Sequence, residues 1–316
     1  MRIDVTNLDK RFKNTHAVND LSFSVEPGRV TGFLGPNGSG KSTTMRLMLG
    51  LDSGSGTTLF DGKRLEEHNP ITRTIGAHLD AKFFHPNRTA RAHLTMLAAE
   101  ARIPQSRVDE VLALVGLDSV AKKRPGGFSL GMAQRLGLAG AILAEPQVLM
   151  LDEPANGLDP QSIQWLRDFL KHYASQGRSV FVSSHLLNEM QLLADDLVVI
   201  ARGRLIAAEP MQNFLARSSG SSVRVRSHEV QRLSDALRTE GIASEISGTS
   251  GLLAMNTTTD HIGDIAFRNN VPLLELTAHT ASLEDVFLEL TDDQQDYQLG
   301  GSTADSVADL NNGGIA

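Results

Sequence analysis

Apolar residues fall in two rhythms along the chain. In the first part, alternation and short β-branched runs predict strands over 3–8, 21–25, 30–34 and 57–60, with a Pro27-Gly28 turn before the third. Further on, apolar runs at 74–79, 148–151, 179–183 and 197–200 alternate with helical spacing at 91–102, 106–115, 132–143, 162–174 and 186–193, and 42–49 reads as a helix after a glycine-rich loop. Such alternation predicts a largely parallel sheet covered by helices, the α/β class. A run at 204–208, turned at Arg202-Gly203, predicts an antiparallel hairpin that closes this unit.

The rhythm changes after the polar junction Ser218-Ser219-Gly220-Ser221-Ser222. Strand 223–226, helix 230–239, strands 242–246 and 252–256, helix 261–268 and strand 271–276 follow in βαββαβ order, which predicts a small ferredoxin-like α+β domain. A last helix is expected over 282–290, with Ser282 as N-cap and Glu284 and Asp285 in its first turn. Residues 291–316 are polar and rich in Gly, Asp and Asn, so a disordered tail is expected. The expected organisation is therefore a larger domain at 1–217, a smaller one at 222–290 and the tail at 291–316.

Composition narrows the function. At 316 residues, 41% apolar and 21% charged, the chain is an ordinary globular protein of about two domains. It has no cysteine, which removes disulfides and thiolate chemistry, and its ten histidines include no pair spaced i, i+4. The longest apolar stretches, 139–144 and 197–201, fall far short of the roughly 18 residues of a membrane-spanning helix. Membrane work would thus run through a partner. The net charge is −7, of which the tail's five aspartates supply −5, so the body is nearly neutral and no nucleic-acid partner is expected.

The chemistry gathers at strand ends. Gly35-Pro36-Asn37-Gly38-Ser39-Gly40-Lys41-Ser42 matches GxxxxGK[ST] between a predicted strand and helix. Its glycines let backbone N–H groups turn around phosphate oxygens, Lys41 supplies charge to the β- and γ-phosphates, and Ser42 a hydroxyl for Mg²⁺. The strand at 148–151 ends in Asp152 and Glu153, placed to hold the magnesium shell and to act as general base on an attacking water; alone, such a pair also fits a strand-end turn. Ser129 reads as the N-cap of an apolar helix whose Gly131 admits a close phosphate. His185 ends the strand at 179–183 on the same edge, where it either bonds a γ-phosphate or is structural.

The ordered series GPNGSGKST, FSLGMAQR, VLMLDEP, NGLD and SSH, within about 150 residues, resembles the nucleotide-binding subunit of an ABC transporter. The resemblance covers residues 1 to about 210 and implies a P-loop ABC cassette. It makes 35–43, including Thr43, the Walker A loop that binds ATP, 148–153 the Walker B strand with Glu153 catalytic, 156–159 with Asp159 the D-loop, and His185 the switch histidine. Phe12 matches the ring that stacks on adenine, although a core role fits it as well. Two departures, Ser129-Leu130-Gly131-Met132 for the usual signature and Asp80 for the usual glutamine after a strand, resemble bacterial ABC-2-type exporters, including those of bacitracin and lantibiotic self-protection, and the ending at 281–288 resembles the C-terminus of drug-resistance ATPases of the daunorubicin type. An acidic side chain cannot donate as an amide does, so the metal contact of Asp80 stays open.

What the resemblance implies is an ATP-hydrolysing subunit with ATP and Mg²⁺, a second cassette that receives Ser129 and Gly131, and a membrane permease that holds it at the cytoplasmic face of the membrane. Rivals are a soluble ABC ATPase acting on ribosomes or DNA, an importer subunit, and a P-loop phosphotransferase; one uninterrupted cassette with an acidic balance separates the first, and a signature with a switch histidine the last. The adjacent aromatics Phe83 and Phe84, between a strand and a helix, read either as a permease contact or as local core.

Overall fold

The computed structural model describes residues 1–80, 84–85, 87–216, 222–279, 283–284 and 286–287. Strands β1 (Ile3–Phe12), β2 (Thr15–Val25) and β3 (Val30–Leu34) lead into helix α1 (Lys41–Met48), followed by β4 (Ser55–Phe60), the short α2 (Ile71–Thr74) and β5 (Ile75–His78). Helices α3 (Ala90–Glu100), α4 (Gln105–Leu114) and α5 (Leu130–Ile142) come next, then β6 (Val148–Leu151), α6 (Pro160–Ser175), β7 (Ser179–Ser184), α7 (Leu187–Leu193), β8 (Asp196–Ala201), β9 (Arg204–Pro210) and α8 (Met211–Leu215).

The central sheet has the order β5-β6-β7-β3-β8-β9, parallel except for β9, which is antiparallel to β8. Its strands are apolar without interruption because both faces are covered. Alternate residues take opposite sides. Val30, Leu34, Leu149, Leu151, Val180 and Val182 join the helices α3–α8 in one core. Phe33, Val148, Met150, Phe181, Val198 and Ile200 join α1 and the antiparallel sheet β2-β1-β4 in another. Phe23 of β2 meets the stacked rings of Phe33 and Phe181, whose centroids are 5.0 Å apart, and so pins the two sheets together.

The smaller unit comprises β10 (Ser222–Arg226), α9 (Val230–Thr239), β11 (Ser244–Ser247), β12 (Gly251–Ala254), α10 (Thr259–Arg268) and β13 (Glu275–His279). Its sheet order β11-β12-β10-β13 is antiparallel throughout, the ferredoxin-like arrangement, with Leu233, Leu237, Ile262 and Ile265 of its two helices packed on Val223, Val225 and Leu252.

Several expectations change. Strands expected over 3–8 and 21–25 run over Ile3–Phe12 and Thr15–Val25, because ladder pairing with register shifts continues through polar positions. Thr74 ends a helical turn rather than opening a strand. Although 282–290 reads from sequence as part of the small domain, Leu283, Val286 and Phe287 are buried in the helix-covered core of the larger unit, and the Leu283 N–H donates to Gln191 Oε1 at 2.9 Å. Ser282 and the tail 291–316 lie outside the described residues, as does Phe83, whereas Phe84 is half-buried against the larger core.

Candidate functional site

The phosphate loop leaves the buried strand β3 and ends where α1 begins. Gly40 closes it at φ 104°, and a Cβ there would lie 2.2 Å from the Ala17 carbonyl oxygen, so only glycine fits between the loop and β2. The N-cap of α1 offers no side chain to its first N–H groups and its first turn carries no acid, which leaves those donors and the positive end of the dipole for an anion. Ser39 Oγ, in the same loop, is buried and has no hydrogen-bond partner among the described residues. A buried hydroxyl without a partner suits a loop shaped around phosphate oxygens.

Lys41 is buried too, and a buried ammonium needs oxygen partners. Its Nζ donates to the Gly35 carbonyl at 2.8 Å and to that of Pro36 at 3.5 Å, and stands 3.6 Å from Glu153 Oε1. Glu153 lies just past β6 at φ 50°, a left-handed backbone that is strained for a residue with a Cβ. Its N–H donates to Ser183 Oγ at 2.9 Å, and that hydroxyl donates to Asp152 Oδ1. Glu153 Oε2 lies 2.7 Å from His185 Nδ1 and accepts from the His185 N–H at 3.3 Å. The parallel strands β3, β6 and β7 thus deliver Lys41, Glu153 and His185 to one edge of the sheet, the edge where ligands of such sheets bind.

The remaining sequence-expected residues sit around this centre. Ser129 caps α5, its Oγ accepting from the Met132 N–H at 3.2 Å, and Gly131 is the second residue of that helix. Neither is hydrogen-bonded to the phosphate loop among the described residues. Asp159 caps α6, accepting from Ser162 N at 2.8 Å and Ser162 Oγ at 2.9 Å, and these bonds hold its carboxyl below the ordinary range. Phe12 is 47% exposed at the end of β1, with Lys10 Nζ 4.8 Å from its ring centroid, so it is not a core residue. Asp80 is exposed and raises the proton affinity of His78, which opposes the burial that lowers it.

Residues 18–156 match the ABC transporter family, and residues 221–284 match a domain of unknown function (DUF8746). The chain is 33% identical over 318 residues to the bacitracin transport ATP-binding protein BcrA of Bacillus licheniformis, covering 95% of this chain and 98% of that protein. It belongs to the ATP-binding proteins of ABC transporters. An ABC transporter ATP-binding protein of Bacillus subtilis, YhcH, is 34% identical across 92% of this chain and 95% of its own length. The lantibiotic transport ATP-binding protein SrtF of Streptococcus pyogenes is 35% identical over 205 residues, 65% of this chain and 89% of that one. A solved ATP-binding subunit of an ABC transporter superposes with a TM-score of 0.63 at 25% identity, covering 69% of this chain and 93% of the other.

An ABC ATP-binding subunit binds and hydrolyses ATP in step with transport and works with membrane permease subunits; this chain does the same. Among the described residues no helix is long and apolar enough to cross a membrane. Sequence reasoning left three side chains out of this site. Ser183 bonds both Asp152 and Glu153, and its signal was its place just before Ser184-His185. Gln134, 6% exposed, donates from Nε2 to the Glu153 carbonyl at 3.2 Å, and His78 Nε2 lies 2.6 Å from Gln134 Oε1. A polar residue in a strand buried at Ile75, Gly76 and His78 was the one sign of the last.

Proposed function

We propose that this chain powers a membrane exporter by hydrolysing ATP between two copies of its cassette. The observation that carries the reading is the Lys41, Glu153 and His185 cluster, with the carboxylate 3.6 Å from the lysine and 2.7 Å from the imidazole at the mouth of the phosphate loop. The backbone N–H groups of Gly35, Asn37, Gly38, Ser39, Gly40, Ser42 and Thr43 would cradle the phosphates, Pro36, which has no N–H, would only shape the loop, and Lys41 would exchange its carbonyl partners for the β- and γ-oxygens. The exposed Phe12 ring would stack on adenine.

Glu153 accepts the proton of the attacking water, while His185 donates from Nδ1 to that carboxylate and would reach the γ-phosphate only by exchanging this bond for one to a phosphate oxygen. The donors Ser42, Asp152 and Asp80 are hard oxygens suited to Mg²⁺. No group of three or more His, Cys, Asp or Glu that could hold an ion lies among the described residues, which suits an ion that would arrive with the nucleotide. When bound, the ion neutralises phosphate charge. Ser129, Gly131 and Asp159 would face the nucleotide of the second copy, the signature serine lacking any bond to its own loop among the described residues. The direction and cargo class, a drug, antibiotic peptide or lipid-like molecule moved outward through a permease at the cytoplasmic face, are inferred from the ABC-2-like Asp80 and Ser129-Leu130-Gly131-Met132, and the bacitracin and lantibiotic transport relatives support a peptide-antibiotic cargo.

Steady-state ATPase assays test the roles. Glu153→Gln should keep ATP binding and lose about 100- to 10,000-fold in kcat, since an amide cannot take the proton. Wild-type turnover in that variant would remove Glu153 from the mechanism. In inverted vesicles carrying the permease, ATP should drive cargo into the lumen; cargo leaving the lumen would mean import.

A further inference from the structure

The polar chain behind Glu153 is buried deeper than Glu153 itself. Gln134 and His78 are 6% and 5% exposed, on α5 and β5. The Glu153 carbonyl can only accept, so Gln134 must present its NH₂ there and its Oε1 to His78. His78 therefore carries its proton on Nε2 and donates it at 2.6 Å. The main chain of His78 is engaged as well, its carbonyl accepting from the Asp152 N–H at 2.9 Å.

The helix is shaped to admit this ring. A methyl group at Gly137 would fall 2.0 Å from His78 Cε1 and 2.3 Å from Nδ1, so α5 carries glycine where the imidazole crosses it. At the other end, Glu153 holds its left-handed φ of 50° with Ser183 on its N–H and Gln134 on its carbonyl. Side chains from two different elements thus fasten both main-chain groups of the strained residue, and one of them reaches it from the helix that begins with Ser129 and Gly131.

We propose that His78, acting through Gln134, is a positioning residue for the Glu153 carboxylate and ties α5 to the end of β6. The inference rests on the reading of Glu153 as general base. Its consequence is that a shift of α5, whose first turn is expected to meet the second cassette, is felt at the Glu153 backbone through one amide.

Full-length His78→Ala, His78→Gln, Gly137→Ala and the double variant His78→Ala/Gly137→Ala are compared with wild type for kcat, KM, ATP affinity and Tm, beside Glu153→Gln. Glutamine sets an N–H donor where Nε2 was, and alanine does not. His78→Ala should lose about tenfold or more in kcat with ATP affinity held within about twofold, and His78→Gln should recover most of that loss. Gly137→Ala should slow kcat in wild type by displacing the ring, yet cost nothing further once the ring is gone. Wild-type kcat in His78→Ala would overturn the proposal. So would a folded His78→Gln as slow as His78→Ala, or loss of kcat, ATP affinity and Tm together that glutamine does not repair, since that pattern is a merely structural histidine. Full activity in Glu153→Gln would instead sink the base assignment beneath it, and is read in the same assay.

Discussion

Lys41 directs its charge at two carbonyl oxygens and a carboxylate, partners that a triphosphate would replace with stronger ones under the proposed function. Lys41→Ala should therefore lower kcat/KM for ATP by about 100-fold or more, measured in the same ATPase assay, and should weaken nucleotide binding besides. Asp159 offers a test of a different kind. Bonds from Ser162 hold its folded pKa below the ordinary 3.8, so its capping contributes stability above that value and loses it as pH falls through the folded pKa. Asp159→Ala should melt earlier than wild type at neutral pH, with the gap closing on acidification below the carboxylate range. A gap that stays constant to low pH would show that the charged cap is not what α6 uses.

Elements carry the site because β3, β6 and β7 are each buried end to end and finish at the same edge. The contact that aligns them with the antiparallel sheet is the cluster of Phe23, Phe33 and Phe181. Phe181→Ala should cost about 3–5 kcal/mol in denaturant unfolding, since its side chain is fully buried between the sheets. Much of this was legible beforehand. Continuous apolar runs announced the parallel strands, and GPNGSGKS with LDE placed the phosphate loop and the acids. The extension of β1 through Asn7 to Phe12 was not, because paired polar residues facing water carry no apolar signal. Nor was the Ser183, Gln134 and His78 shell around Glu153, since those contacts join residues as far as 56 apart and depend on strand order. Phe84 was left between contact and core by its pattern, and it packs on the core.

At the scale of the whole molecule the chain doubles back. After the ferredoxin-like sheet, Leu283, Val286 and Phe287 return to the core formed with α7 and α8, beside the helix that follows His185. A chain ended after His279 loses three buried apolar side chains worth about 1.5–3 kcal/mol each, so its cassette should unfold at lower denaturant, whereas removing 292–316 should change neither stability nor membrane attachment. Loss of attachment on that second deletion would assign the acidic tail a docking role that its charge of −5 opposes at an anionic leaflet. The most direct measurement is the solution mass of full-length Glu153→Gln by light scattering with and without Mg-ATP. Twice the monomer mass with nucleotide, the monomer mass without it, and loss of the dimer on adding Ser129→Ala are predicted; a mass indifferent to ATP would contradict hydrolysis between two cassettes.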